Sequence, residues 1–177
     1  MSETLTINGE DESVLWKKVT EHYSTVTNPR EYHIALDQQG RRILLDIIED
    51  PEGTIFSAYL YGRSDFRFAI YPQGFIDEIG KFFGMEDVVL GFKDFDDKYV
   101  VKTNQEGLTE SLFADANIRK VFESIPGLSM GIVHYTLDDS DGKVPFLELK
   151  VDGCITEPIL LRKIYNAFYS ILLLIEQ

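Results

Sequence analysis

Residues 137–148 read LDDSDGKVPFLE, and this stretch separates two runs in which apolar and polar residues alternate. The preceding run is GIVHYTL over 131–137, and the following run is FLELKV over 146–151. An Asp-Gly step between two alternating runs is a strong signal for a β-hairpin. The stretch therefore predicts two antiparallel strands, over 129–137 and 145–151, joined by an acidic turn.

The same stretch partly matches the calcium-binding loop of an EF-hand. That loop places oxygen ligands at positions one, three and five, Gly at six and Glu at twelve. Asp139, Asp141, Gly142 and Glu148 are in register, but position one is Leu137, which has no ligand oxygen. The loop also lies between helices, whereas the flanks here predict strands. We interpret the stretch as a turn, with adventitious weak cation binding at Asp139 and Asp141 as the alternative.

The N-terminal half predicts one helix followed by four strands. Residues 1–10 are expected to be a frayed tail, and a helix begins at a cap on Asp11 or Ser13 and stops at Asn28-Pro29. Alternating or apolar runs over 31–37, 42–49, 54–61 and 66–71 predict strands. Their short connections predict an antiparallel meander. A short helix is expected over 74–83.

The C-terminal half predicts a strand, two helices, the hairpin and a last helix. The strand covers 98–102, the helices 108–113 and 117–125, and the last helix begins at a Thr156 cap with Pro158 in its first turn. The order α-β-β-β-β-α, then β-α-α-β-β-α, predicts an α+β fold with antiparallel sheets packed against helices. We expect a single globular unit, or two similar-sized halves over 11–84 and 95–177 with a seam at 84–97.

The charge of the chain limits its partners. Seventeen basic and thirty acidic residues among 177 give a formal charge of −13. Such a chain repels phosphate backbones and anionic lipid surfaces, so nucleic acid and membrane surfaces are excluded as expected partners. The acidity predicts either simple solubility or a basic protein partner.

The cysteine content and the N-terminus predict a reducing compartment. Cys154 is the one cysteine, which excludes an internal disulfide and a zinc site with several Cys ligands. The start MSETLTINGEDE has neither the basic nor the apolar region of a signal peptide. We expect a cytoplasmic protein.

Catalytic and cofactor-binding patterns are weak. The chain has no phosphate-binding loop, no dinucleotide fingerprint, no His-Glu-x-x-His and no Gly-x-Ser-x-Gly. His22, His33 and His134 are scattered, and acidic neighbours disfavour a reactive thiolate at Cys154. No cofactor and no metal are therefore predicted. An alternative function, small-molecule binding or an unfamiliar hydrolysis, would use carboxylates in a cleft between the halves; the candidates are Asp46, Glu49, Asp50, Asp94, Asp96 and Asp97.

The last helix is a candidate contact with another protein. Residues 164–175 are almost entirely apolar, yet the run is too short to span a bilayer, so membrane insertion is not expected. Arg162, Asn166, Tyr169 and Ser170 mark a polar face that should continue at Leu173. Either this helix lies deep in its own fold, or Leu173 and Tyr169 contact a partner.

Aromatic residues on the predicted strands are a second candidate surface. The runs 55–61 and 66–71 carry bulky groups on both faces. If the helices cover one face only, Tyr59, Tyr61 and Tyr71 form an open aromatic surface that binds a partner. The alternative is that both faces are packed.

Two resemblances add to this interpretation. FDDKYVVKTN over 95–104, ESLF over 110–113, a helix with Ile118 and Phe122, the hairpin and the apolar last helix together resemble the globular part of an uncharacterised bacterial family. That family is often found in membrane-associated proteins, and the likeness covers roughly residues 90–177 without the membrane segments. It implies no enzyme activity and no site residues.

The N-terminal half is similar, in architecture only, to the scaffold of type III secretion chaperones. Those proteins are small, acidic, cytoplasmic and dimeric. Together these observations predict a non-catalytic cytoplasmic binding or scaffold domain, chaperone-like in its action, that contacts another protein or a second copy of itself.

Overall fold

The computed structural model describes residues 4–50, 52–62, 65–75, 84–136 and 142–177. These residues form nine strands and five helices, which confirms the α+β class. The strands are β1 Leu5–Gly9, β2 Glu31–Gln38, β3 Arg41–Ile48, β4 Gly53–Tyr59, β5 Phe68–Pro72, β6 Glu86–Val88, β7 Tyr99–Thr103, β8 Leu128–Thr136 and β9 Lys143–Val151. The helices are α1 Glu12–Tyr23, α2 Lys93–Asp96, α3 Glu106–Leu112, α4 Ala116–Ser124 and α5 Pro158–Ile175.

The strands form one sheet in the order β1-β2-β3-β4-β9-β8-β5-β7-β6. Every neighbouring pair is antiparallel except β1 and β2, which are parallel. A parallel pair needs a crossover connection, and α1 supplies it between β1 and β2. The sheet is thus mostly antiparallel, as the run of short strands predicted.

The hairpin of β8 and β9 lies at the centre of this sheet. β8 and β9 pair from Leu128 opposite Val151 to Thr136 opposite Lys143. β9 then pairs with β4, and β8 pairs with β5. The turn, including Asp139 and Asp141, lies outside the described residues. The hairpin therefore joins β1–β4 on one side to β5–β7 on the other.

Two predictions at the N-terminal end are wrong. Residues 5–9 are an edge strand and not a frayed tail, because Ile7 lies beside Leu36 in the parallel register and is buried. The strand was too short for its alternation to stand out from a polar tail. The predicted meander holds for β2, β3 and β4 but fails for β5, since β9 occupies the edge of β4 that β5 would need.

Helix starts depend on the capping side chains. Of the two predicted caps of α1, Asp11 is the one observed; its Oδ1 accepts a hydrogen bond from the Val14 amide at 2.8 Å, whereas Ser13 lies inside the helix. Thr156 does not cap α5; the cap position is Glu157, without a side-chain hydrogen bond, and Pro158 follows in the first turn. The helix predicted over 74–83 lies outside the described residues apart from Gly74 and Phe75. The seam at 84–97 contains β6 and α2, which the sequence did not predict.

The helices pack on one face of the sheet. Alternate residues of the strands, such as Phe56 on β4 and Leu149 on β9, are buried in one core with residues from all five helices. The intervening residues of β8 and β9, and those of β4 from Ile55 onward, remain partly or fully exposed. In the described part of the chain, the sheet therefore has a face covered by helices and an open face.

Candidate functional site

Four aromatic side chains are in consecutive contact where β4, β9 and β8 lie side by side. Tyr61, just after β4, is 4.7 Å from Tyr59 between ring centroids, and Tyr59 is 5.7 Å from Phe146. Phe146 in turn is 5.5 Å from Tyr135. We call Tyr61, Tyr59, Phe146 and Tyr135 the aromatic strip. All three contacts are edge-to-face, the arrangement that the ring quadrupoles favour.

The strand register brings the aromatic strip together. Tyr59 is the register partner of Phe146 across β4 and β9, so both side chains point to the same face. Tyr135 on β8 lies one step further along the same face, diagonal to Phe146. Successive side chains of a strand point to opposite faces, so neither Tyr59 nor Phe146 can turn into the core without a shift in register.

The aromatic strip is exposed to solvent. The exposed fraction is 37% for Tyr59, 62% for Tyr61 and 42% for Tyr135, and Phe146 is half-buried. Single exposed apolar residues are normal on a protein surface, whereas contiguous ones mark interaction sites. Aromatic residues are also enriched at the centres of protein interfaces.

Glu148 completes the surface beside the aromatic strip. It lies two residues from Phe146 on the same face of β9, and its Oε2 accepts a hydrogen bond from the Tyr135 hydroxyl. Its register neighbours are two small residues, Ser57 on β4 and Gly131 on β8, and Glu148 itself is half-buried. Partial burial, followed by the hydrogen bond to Glu148, raises the pKa of Tyr135 above its ordinary value. Tyr135 is therefore a neutral donor at physiological pH.

The structure places the predicted surface residues in three locations. Tyr59 and Tyr61 belong to the aromatic strip. Tyr71, on β5, is half-buried and lies 6.4 Å from Phe75 between ring centroids, two strands away from β9.

Tyr169 and Leu173 lie on α5, in the helix layer. The Tyr169 ring stacks on Tyr165 at 5.8 Å, and its hydroxyl donates to Oε1 of Gln39 at 3.4 Å. Leu173 is half-buried. The five predicted residues therefore do not form one surface.

One side of α5 packs inside the protein. The prediction that this segment is too short to span a bilayer is wrong, because α5 extends beyond the run 164–175 to 18 residues and is apolar enough, by length and composition, to cross a membrane. In the fold, 44% of its residues are buried. The buried residues are Leu161, Ile164, Tyr165, Ala167, Phe168, Ile171, Leu172 and Ile175. A core helix of a globular protein has the same composition.

The carboxylates of the alternative function do not meet. Asp46 on β3 is hydrogen-bonded to Nδ1 of His33 at 2.8 Å. Asp96 accepts hydrogen bonds from the amides of Leu90 and Gly91, at 3.0 and 2.9 Å, beside β7. β3 and β7 are five positions apart in the sheet, about 24 Å at the usual strand spacing. The described residues therefore contain no cleft in which the two groups face each other.

The histidines and the cysteine have local partners or surroundings that explain them. Nδ1 of His22 lies 2.9 Å from the Tyr32 hydroxyl, and His33 pairs with Asp46. Partial burial lowers the pKa of His134, and burial raises the pKa of the Cys154 thiol. Among the described residues no group of three His, Cys, Asp or Glu side chains could hold a metal ion.

Two open depressions flank β1 at the edge of the sheet. The larger, of about 670 Å³, is lined by Lys18, Arg41 and Arg42 among others. Each of these cations already has a partner, since Arg42 pairs with Asp37, Arg41 with the buried Glu176, and Lys18 with a backbone carbonyl. The smaller, of about 440 Å³, contains the His33–Asp46 pair. Neither depression contains a nucleophile beside a base, so neither indicates a catalytic site.

The sequence reasoning missed Phe146, Tyr135 and Glu148. All three lie in or beside the alternating runs of the hairpin, and their positions predicted a shared face for Phe146 and Glu148. The sequence did not predict that β9 pairs with β4, and this pairing places Phe146 beside Tyr59. An aromatic residue on the presumed polar face of the hairpin was the available signal.

Comparison with known proteins shows no family for this chain. No family model matches the chain. No curated protein matches it. Among solved structures, a crystal structure of the mycobacterial trehalose monomycolate transport factor A is similar to it. The identity is 9% and the TM-score 0.48, over 80% of this chain and 70% of that one. Similarity of this degree carries no argument, and the two resemblances drawn from the sequence stay predictions.

Proposed function

We propose that this protein is a non-catalytic binding protein that docks another protein on the open face of its sheet, with the aromatic strip at the centre of the contact. The observation that supports this proposal is the continuous chain of four contacting aromatic rings on three adjacent strands. The rings lie on the face that the helices leave open. A surface of this kind loses contact with water when a partner covers it, which favours association.

We expect a few central aromatic residues to contribute most of the binding energy at this surface. Tyr and Phe bring a large apolar area at a low cost in side-chain entropy, and truncation of a central aromatic residue costs about 2 kcal/mol or more of binding energy. The edge-to-face contacts of Tyr59 fix the orientation of its ring in the unbound protein. Binding a partner therefore costs less side-chain entropy.

The acidity of the chain favours a different protein over a second copy. Two copies that each carry a formal charge of −13 repel one another, while a less acidic or basic partner does not. Homodimerisation, a chaperone-like action and a cytoplasmic location stay predictions from the sequence. The contact predicted around Leu173 and Tyr169 would be a second surface, on the helix layer.

Site-specific photo-cross-linking tests the proposal. The photoreactive residue p-benzoylphenylalanine replaces Tyr61 in one variant and Ile159, which is 75% exposed on α5, in the control. We expect cells that express the Tyr61 variant to yield one adduct of defined mass, and the Ile159 variant to yield none. A double variant, Tyr59→Ser with Tyr61→Ser, should bind the purified partner at least about tenfold more weakly.

Three outcomes would contradict the proposal. They are equal adducts from both positions, no adduct from Tyr61, and unchanged affinity of the double variant. An adduct of twice the mass of the chain would identify a second copy as the occupant, and native mass spectrometry of the purified protein would then show a dimer.

A further inference from the structure

We infer that the segment docked on this face is basic and carries an arginine, whose guanidinium group pairs with Glu148 and stacks against the aromatic strip. This inference rests on the proposed function, and it names the chemistry of the partner. It depends on the charge, the neighbours and the accessibility of Glu148.

Glu148 has no cationic partner among the residues that the structure describes. Among the described residues no Lys, Arg or His forms an ion pair with it, although Asp37 and Asp46, on the same face of the sheet, pair with Arg42 and His33. The Tyr135 hydroxyl binds Oε2, and Oε1 accepts no hydrogen bond in the described part of the chain. A carboxylate held in place by one neutral donor still has acceptor positions for a cation.

The surroundings of Glu148 leave room for a flat group. Ser57 on β4 and Gly131 on β8 are its register partners, and Ala69 on β5 is the partner of Gly131. These three small residues form a row across the open face on both sides of the carboxylate. A planar group can therefore approach the carboxylate from above without displacing a large side chain.

The aromatic strip borders this row and favours guanidinium over ammonium. Phe146 is two residues from Glu148 on the same face, with the rings of Tyr59 and Tyr135 on either side of it. A guanidinium group binds a carboxylate through two parallel hydrogen bonds and stacks on aromatic faces, whereas an ammonium is a strongly hydrated point charge. The chain already uses such stacking, since the guanidinium carbon of Arg119 lies 3.8 Å from the Phe92 ring centroid.

The net charge of the whole chain also favours a basic segment. A formal charge of −13 attracts a basic segment over a longer range than the contact itself and raises its association rate. This attraction is diffuse and weakens with salt, so it does not locate the segment. The position of the basic segment is set by Glu148 and the aromatic strip, which lie next to each other on the open face.

Fluorescence anisotropy with a labelled peptide tests the inference at 0.15 M salt. The probe is a seven-residue peptide of alternating Gly and Arg, with two matched peptides in which Lys or uncharged citrulline replaces Arg. We expect the Arg peptide to bind, the Lys peptide to bind several-fold more weakly, and the citrulline peptide not to bind. Glu148→Gln should weaken binding of the Arg peptide by about tenfold or more, as expected for a hydrogen bond between charged groups.

The matched control is Glu110→Gln, which removes the same charge from an exposed position on α3. We expect this control variant to bind the Arg peptide within about twofold of the wild-type affinity. Phe146→Leu should weaken the binding several-fold. Urea unfolding midpoints show that each variant is folded. Three results would each overturn the inference. They are an equal loss of affinity for the Arg peptide in Glu110→Gln and Glu148→Gln, equal affinity of the wild-type protein for the Arg and Lys peptides, and no binding of the Arg peptide. A Tyr61 adduct without peptide binding would leave the proposed function standing and reject the basic segment.

Discussion

At the scale of single residues, buried polar groups show how distant parts of the chain are joined. Thr54 on β4 is fully buried. Its hydroxyl donates to the Gly153 carbonyl at 3.0 Å and accepts from the Ile155 amide at 2.8 Å. One hydroxyl thus attaches the segment between β9 and α5 to β4, the strand that carries Tyr59 at its other end.

Replacement of this hydroxyl should destabilise the fold. In Thr54→Val the Ile155 amide loses its acceptor, and we expect the free energy of unfolding in urea to fall by about 1–2 kcal/mol. Thr54→Ser keeps the hydroxyl and loses one methyl group, so it should cost less than Thr54→Val. A serine variant as unstable as the valine variant would show that packing, and not the hydrogen bonds, dominates at this position.

At the scale of elements, the joint between β8 and β5 is the narrowest point of the sheet. Only two register pairs connect these strands in the described residues, Ala69 with Gly131 and Ile70 with Met130. A Cβ atom at Gly131 would lie 2.8 Å from the Phe68 carbonyl oxygen and 3.2 Å from the Ala69 Cα. The strands can approach each other this closely because Gly131 has no side chain.

Gly131→Ala should therefore separate β5 from β8. Because the conflict is with backbone atoms, which cannot rotate away, we expect a loss of about 1–3 kcal/mol in the free energy of unfolding. Gly107→Ala on α3 is the matched control, since a Cβ there meets no atom within 4 Å. This change should stabilise the protein by about 0.5–1 kcal/mol, because Ala favours a helix. A stable Gly131→Ala variant would contradict the close approach.

At the scale of the whole molecule, an ion pair connects the two ends of the chain. Nε and Nη2 of Arg162 on α5 lie 2.5 and 2.6 Å from the two carboxylate oxygens of Glu12 on α1, and Asn166 adds a hydrogen bond at 3.1 Å. The hydrogen bond from Arg162, which outweighs partial burial, lowers the pKa of Glu12 from its ordinary value. The pair therefore contributes to stability only while Glu12 is ionised.

The pH dependence of unfolding tests this contribution. A lowered pKa in the folded state means that the stabilisation is complete above the ordinary carboxyl pKa of about 4.3 and is lost as the pH falls through the lowered value. We expect Glu12→Gln to be less stable than the wild type at neutral pH, with the difference shrinking below about pH 4. A difference that stays constant down to the acid transition would show that Glu12 acts through packing alone.

Local patterns predicted several elements well. The alternating runs around the Asp-Gly step predicted β8 and β9, and Asp11 was one of the two residues predicted to cap α1. Both signals depend on neighbours in sequence. The predicted Thr156 cap is one residue too early, because α5 begins at Pro158 and its cap position is therefore Glu157. The strand β1 was missed because its burial comes from a distant partner, Leu36.

The sequence by itself determined the α+β class, the acidity of the chain, and the alternation that divides each strand into a buried and an exposed face. The tertiary structure decided which strands are neighbours, and so which exposed residues share a surface. Tyr59 was named from the sequence, but Phe146 and Glu148 joined it only because β9 pairs with β4. The physical reason is that alternation acts within a strand, whereas the choice of a pairing partner depends on contacts between residues far apart in the chain.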